Sequence, residues 1–230
     1  MYTQGFLEDN TVFADATVDF VLGAEQGVNV VKGWVQGLVG KCPGEEVEMV
    51  IPPELGFGDR TEGNVPGGST LVSIVRIDAI IRVVKKPRGG DCNEGQKVRP
   101  NLDITIGIKA YALEPRKDSK RGVKFFDKSA LEVRYGKPSA KTLQRGLETT
   151  LTGACTGEER LVLLGPSLAY GQEGNRAYQQ NSRAGKKVKP DSAVRVEASI
   201  KRVRNKKPKG NLDLTFLQQL ADGNARVPSG

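Results

Sequence analysis

Leu102, Ile104, Ile106 and Ile108 alternate with Asp103, Thr105, Gly107 and Lys109. Val194, Val196, Ala198 and Ile200 alternate in the same way with Arg195, Glu197, Ser199 and Lys201. A period of two turns one side of a segment toward a core and the other toward water, so both segments read as half-buried strands. Val47, Met49 and Ile51 alternate with Glu46 and Glu48 to give a third, and residues 10–22 alternate more weakly. Thr70–Val84 reads as one long strand. A period near four occurs in Val30, Trp34 and Leu38, which predicts a short helix over Val30–Val39 ended by Cys42-Pro43-Gly44. Pro52 to Gly68 is a Gly- and Pro-rich loop. Asp213–Leu220 predicts a terminal helix with Gly223 as its stop.

Helix, turn, strand and loop return without a gap when the numbering is shifted by 113. Gly33, Leu38, Gly40, Cys42, Gly44, Glu45 and Glu46 recur as Gly146, Leu151, Gly153, Cys155, Gly157, Glu158 and Glu159. Pro53, Leu55 and Gly58 recur as Pro166, Leu168 and Gly171. That spacing is too long for a solenoid unit and fits two copies of one small domain of about 100 residues. The strand over Leu102–Lys109 has no counterpart in the first copy, which is expected to begin where that strand would end. The fold class is therefore α+β. Each copy is an antiparallel sheet with one short helix on a face, over residues 1–85 and 102–204. Residues 86–101 are read as a linker and lead-in, and residues 205–230 as a basic linker with the terminal helix.

Charge divides the same way. The net charge of +8 combines −7 over residues 1–84 with +15 over the remainder. Basic runs such as Lys117–Arg121, Arg183–Lys189 and Lys201–Lys209 fall in expected loops and linkers, and the simplest reading of them is solvated surface. No aromatic residues interleave with them as a base-stacking surface requires, so nucleic acid is disfavoured as a partner. The chain has no histidine and three cysteines in no close pair, which removes the commonest general base and disfavours a zinc site. No metal or cofactor is expected. No apolar run approaches the ~20 residues that span a bilayer, and the first residues show no basic or apolar leader region.

Val30–Asp59, VVKGWVQGLVGKCPGEEVEMVIPPELGFGD, preceded by YTQGFLEDNTVF and followed by VPGGSTLV, resembles the FKBP-type peptidyl-prolyl isomerases. The likeness covers nearly all of residues 1–84 and, more weakly, about 102–203. It implies a twisted antiparallel sheet wrapped around one short helix in each copy. It also implies that an X-Pro segment binds in an aromatic-lined pocket and rotates about its imide bond. Such chemistry needs no imidazole. The barrier of about 18–20 kcal/mol is amide resonance, and a dry apolar pocket favours the twisted, less charge-separated amide.

By this resemblance the first pocket uses Tyr2, Phe13, Val18, Val30, Val31, Trp34, Phe57, Val65 and Ser73. Trp34 is its floor, and the Val31 N–H donates to a substrate carbonyl. The family's acid after the phenylalanine is here Ala14, with Asp15 one place late. Val18 replaces an aromatic, Phe57 a tyrosine and Ser73 a wall phenylalanine. A lost hydroxyl forfeits about 1 kcal/mol of directed binding, so weak activity is expected. In the second copy Phe126, Asp127 and Tyr170 restore the pattern. Leu147 and Gln144 replace the tryptophan and the apolar residue near it, Ile108 replaces the first tyrosine, and Leu131 stands for an aromatic. The loop after Tyr170 is ten residues longer. That copy reads as a scaffold or docking domain.

Secretory-pathway members of the family pair a cysteine before the first long strand with one in the turn after the helix. The resemblance therefore implies a Cys92–Cys155 disulfide, leaves Cys42 unpaired, and places the protein in the endoplasmic reticulum lumen or secretory pathway. Three reduced thiols in the cytoplasm are the alternative. With the first strand missing, the chain reads as a piece of a longer multi-domain protein. The implied function is proline isomerisation in protein folding, on proline-containing clients, with a macrolide-type immunosuppressant as a ligand weakened by the pocket changes. A proline-segment binding module or chaperone without turnover is the alternative.

Overall fold

The computed structural model describes residues 1–18, 31–87, 89–90, 92–99, 102–113, 122–134, 142–175, 179 and 187–204. Val30 and the expected helix at Asp213–Leu220 lie outside these. The chain divides into two compact units, Met1–Asp78 and Ala79 onward.

The first unit contains β1 (Tyr2–Leu7), β2 (Val12–Thr17), α1 (Lys32–Leu38), β3 (Glu46–Ile51) and β4 (Leu71–Arg76). Its sheet runs β2-β1-β4-β3, with every pair antiparallel. The alternation predicted for β3 holds: Met49 and Ile51 are buried, while Glu46, Glu48 and Val50 face water. Leu38 of α1 joins them in a core with Leu71, Val75 and Ile77. Helix and strand meet closely at Gly33, where a Cβ would sit 2.6 Å from Ile51 Cγ2, so only glycine admits this approach.

The second unit contains β5 (Ala79–Lys85), β6 (Asp103–Leu113), β7 (Val123–Arg134), α2 (Thr142–Leu151), β8 (Glu159–Leu164) and β9 (Ala193–Arg204). Its sheet runs β5-β8-β9-β6-β7, again antiparallel throughout. The core-facing residues of β6 and β9 are those the alternation selected: Ile104, Ile106, Ile108, Val194, Val196, Ala198 and Ile200.

Register displays the duplication. Glu46–Ile51 pairs with Arg76–Leu71, and Glu159–Leu164 pairs with Ser199–Val194. The first strand is offset by 113 and its partner by 123, so the added ten residues sit wholly in the loop between them. The Gly44 N–H donates to the Ile77 carbonyl and the Ile77 N–H to that of Glu45. Gly157, Ile200 and Glu158 repeat this pair of bonds.

Two expectations need correction. The strand read over Thr70–Val84 is two strands. Ile77 and Asp78 break it, and β5 pairs with β8, so the second unit begins at Ala79 rather than after residue 85. The first copy also keeps half of the strand thought missing. Tyr2 opposes Arg76 as Gly107 opposes Ser199, so β1 matches the latter half of β6.

Cys92 and Cys155 form a disulfide with Cα atoms 5.9 Å apart, and Cys42 is free and exposed. Backbone bonds reinforce it: the Val98 N–H donates to the Ala154 carbonyl and the Gly153 N–H to that of Val98. Beside it, buried Glu158 accepts from the Cys155 N–H and pairs with Arg160, whose guanidinium also donates to the Thr150 and Thr152 carbonyls. Glu45 and Glu46 are both exposed, yet Glu158, the equivalent of Glu45, is buried.

The bridged positions are 63 apart, for which chain entropy gives about 4 kcal/mol of stabilisation. Urea unfolding of the full chain, followed by circular dichroism, should show a loss approaching that value when reductant is added. Alkylation without reductant should label Cys42 alone.

Candidate functional site

Phe13, Val31, Trp34, Phe57 and Val65 converge on one apolar cluster in the first unit. Each arrives from a different element. Phe13 lies in β2, and its ring packs over β1 at Gly5, where a Cβ would meet Phe13 Cζ at 2.5 Å. Val31 precedes α1 in an extended conformation, and its carbonyl accepts from the Trp34 N–H at 3.0 Å. Phe57 follows a single 3-10 turn at Pro53–Leu55, which is closed by Gly56 and Gly58 N–H bonds to the Pro53 carbonyl. Val65 sits in a tight turn bonded to Glu62, and the Gly68 N–H ties the loop back to the Gly58 carbonyl.

Val31 and Val65 are almost enclosed, whereas Phe13, Trp34 and Phe57 keep part of their rings accessible. The Trp34 Nε1 is buried. Three of the cluster's partly accessible side chains are therefore aromatic. Val30, the remaining apolar residue of the motif, lies outside the described residues.

Tyr2 does not join this cluster. Along β1 the buried positions are Thr3 and Gly5, so the period of two turns Tyr2 to the opposite face. There its hydroxyl donates to Asp15 Oδ1 at 2.7 Å, and its ring lies 5.3 Å from the Arg76 guanidinium. The hydrogen bond to Asp15 raises the phenol above its ordinary range. Thr3, matching Ile108 in register, holds the core-facing place, and its hydroxyl is buried without a partner among the described residues. Val18 also stays apart, its backbone bonded to Met1 at the end of the β1–β2 pair. Ser73 is 1% exposed, between Gly5 and Met49 on neighbouring strands, so it offers no surface to a ligand.

In the second unit Phe126, Leu131 and Leu147 are core residues, with Leu147 only 5% exposed where Trp34 is half-buried. Tyr170 packs edge-on against Phe125 at 5.9 Å between ring centroids. Asp127 faces water, and its hydrogen bond from Lys124, at 2.8 Å, holds the carboxyl below its ordinary range. The Gln144 side chain lies outside the described part.

Phe125 escaped the sequence reading, and register shows why it matters. Between Gly5/Phe6 and Ala14/Val12 the pairing skips Phe13; between Ala110/Tyr111 and Phe126/Lys124 it skips Phe125. The bulged phenylalanines are thus equivalent, and Asp15 matches Asp127. The Phe-Asp pair assigned to Phe126 and Asp127 is displaced by one residue, and the available signal was the doubled FF. A bulge re-aims one side chain and bends the strand locally.

Gly5→Ala would force the Phe13 ring outward. It should cost about 1–3 kcal/mol, as overpacking does, read as a lower urea midpoint at unchanged slope.

The family model described as FKBP-type peptidyl-prolyl cis-trans isomerase matches residues 1–78 and 118–197. The human peptidyl-prolyl cis-trans isomerase FKBP10 is 30% identical over 192 residues, covering 75% of this chain and 29% of that protein. Human FKBP2 is 44% identical over 88 residues, covering 36% of this chain and 60% of that protein. The chain thus spans less than two thirds of either relative. Among solved structures, the three FKBP domains of wheat FKBP73 align over 88% of this chain and 85% of that one, at 21% identity and a TM-score of 0.39. With the family model matched in both units, the chain belongs to the FKBP-type peptidyl-prolyl cis-trans isomerase family.

Proposed function

We propose that this chain catalyses cis–trans isomerisation of X-Pro bonds in polypeptide clients, and that the first unit carries the activity. The placement of half-buried Phe13, Trp34 and Phe57 against the apolar core that includes Val31 supports this reading most directly. Three partly accessible rings give a proline ring an apolar seat. Val31 precedes α1 in an extended conformation next to Trp34, and its N–H is the donor this reading assigns to a substrate carbonyl. Rotation about the imide breaks no bond, so enclosure and one donor are sufficient chemistry. Leu147, enclosed where Trp34 is half-buried, favours a supporting role for the second unit.

Activity is expected to be modest. Tyr2 faces away, Ser73 is sealed in the core, and Phe57 lacks a hydroxyl. These features favour, as the second reading, a module that holds proline segments without turnover. A macrolide-type ligand would meet the same reduced pocket. The disulfide supports an oxidising compartment, hence the secretory pathway. Among the described residues no helix is long and apolar enough to cross a membrane.

A protease-free isomerisation assay on the full chain tests the proposal. Trp34→Leu should lower kcat/KM at least tenfold, about 1.4 kcal/mol of transition-state stabilisation. Tyr2→Phe should leave it unchanged, and Leu147→Trp should not raise it. Saturable quenching of Trp34 by a proline peptide with no rate enhancement would instead support the binding module. Ser73→Phe is expected to destabilise the fold rather than rebuild a wall, because its position is already filled.

A further inference from the structure

The solvent face of the second unit's sheet carries a depression of about 630 Å³, on the side opposite its apolar core. Its floor is made by small residues in one cross-strand row: Gly107 on β6 opposes Ser199 on β9. Any side chain at 107 would fill it, since a Cβ there would lie 2.5 Å from Ser199 Oγ. The Lys201 stem passes above, 3.6 Å from the same point. Lys109 and Lys128 line it from β6 and β7, and Leu161 and Val84 from β8 and β5.

Charge around this hollow is unbalanced. Its two carboxylates have their own partners, Glu197 in Arg195 and Glu159 in Lys85. Arg160 is paired with Glu158, and Asp127, across from Lys109, with Lys124. Among the described residues Lys109, Lys128 and Lys201 have no ion pair. Lysines thus outnumber free carboxylates along a hydroxyl-bearing floor that ends in two aliphatic side chains, with Lys109 also within the field of Asp127 across the strand pair. The volume is that of a small-molecule site, well beyond a lone ion. Ammonium groups on flexible stems suit a compact, doubly charged oxyanion, and Leu161 and Val84 suit a ring or short chain attached to it.

We propose that this depression binds small organic phosphate monoesters, dianionic near neutral pH, with the phosphoryl group among Lys109, Lys128 and Lys201 and the organic body toward Leu161 and Val84. The site is separate from the aromatic cluster of the first unit and needs no isomerase activity.

Phenyl phosphate is the probe, titrated into the full chain by calorimetry and by amide shifts. One saturable site should appear, with the largest shifts at Gly107 and Ser199. Inorganic phosphate, lacking the ring, and benzoate, carrying one charge, should each bind at least fivefold more weakly. Lys109→Gln with Lys201→Gln should weaken phenyl phosphate at least tenfold. The matching Arg pair should stay within threefold of the parent, and Lys41→Gln, at an exposed position of the first unit, should have no effect. If the Gln pair does not fold, Lys128→Gln decides, with a threefold loss supporting the site and no loss overturning it. Equal binding of benzoate, unsaturable shifts spread over exposed lysines, or an unaffected Gln pair would each sink the proposal.

Discussion

The pairing of β3 with β4, and of β8 with β9, is the constraint on which both units rest. Each pair is closed at one end by the reciprocal bonds of a turn glycine and the glutamate after it to an isoleucine. In a sheet, register is also orientation, because a slip of one residue exchanges every inward side chain for an outward one. Closing the pair at Ile77 fixes Leu71, Ser73 and Val75 as inward. Through β4 it then fixes Thr3 and Gly5 as inward on β1, with Tyr2 outward. The aromatic cluster is a consequence of that closure. The tip of the Phe13 ring can approach β1 this closely only because the inward residue beneath it is a glycine.

The two copies hold their turn after the helix by different physics. In the second, a disulfide, a buried glutamate–arginine pair and two helix-end carbonyls meet within a few residues. A buried ion pair with its remaining groups bonded secures geometry more than it adds stability. In the first copy the equivalent positions are an exposed glutamate, a valine and a free thiol. Exposure of Trp34 and enclosure of Leu147 accompany this contrast, so the more firmly anchored unit is the one with the more filled core.

Much of the fold was legible because period-two and period-four patterns report burial directly. The helix, β3, β9 and the earlier part of β6 follow from them, and the duplication follows from the 113-residue shift. The break after Arg76 was not legible. Ile77 and Asp78 continue a plausible strand pattern, and only the bond from the Ile77 N–H to Glu45 turns the chain away. The site was legible as a set of residues but not as a geometry. Phe13, Val31, Trp34, Phe57 and Val65 all belong to the first unit's apolar cluster. Tyr2 misses by one residue of register, and the bulge at Phe13 and Phe125 has no one-dimensional signature beyond its spacing. Gly107 gave no signal either: in the alternating pattern it stands simply as a polar-side position.

The placement of β5 bears on how this molecule can be divided. β5 is an edge of the second sheet and mostly apolar, with Ile80, Ile81, Val83 and Val84 all substantially exposed. Two residues, Ile77 and Asp78, separate it from β4 in the other sheet. A cut after residue 85, where the basic run suggests a linker, would carry this strand away with the wrong half. It would strip β8 of its neighbour and leave a row of unsatisfied backbone groups, the template on which chains pair with one another. A cleavage just after Asp78 leaves both sheets whole.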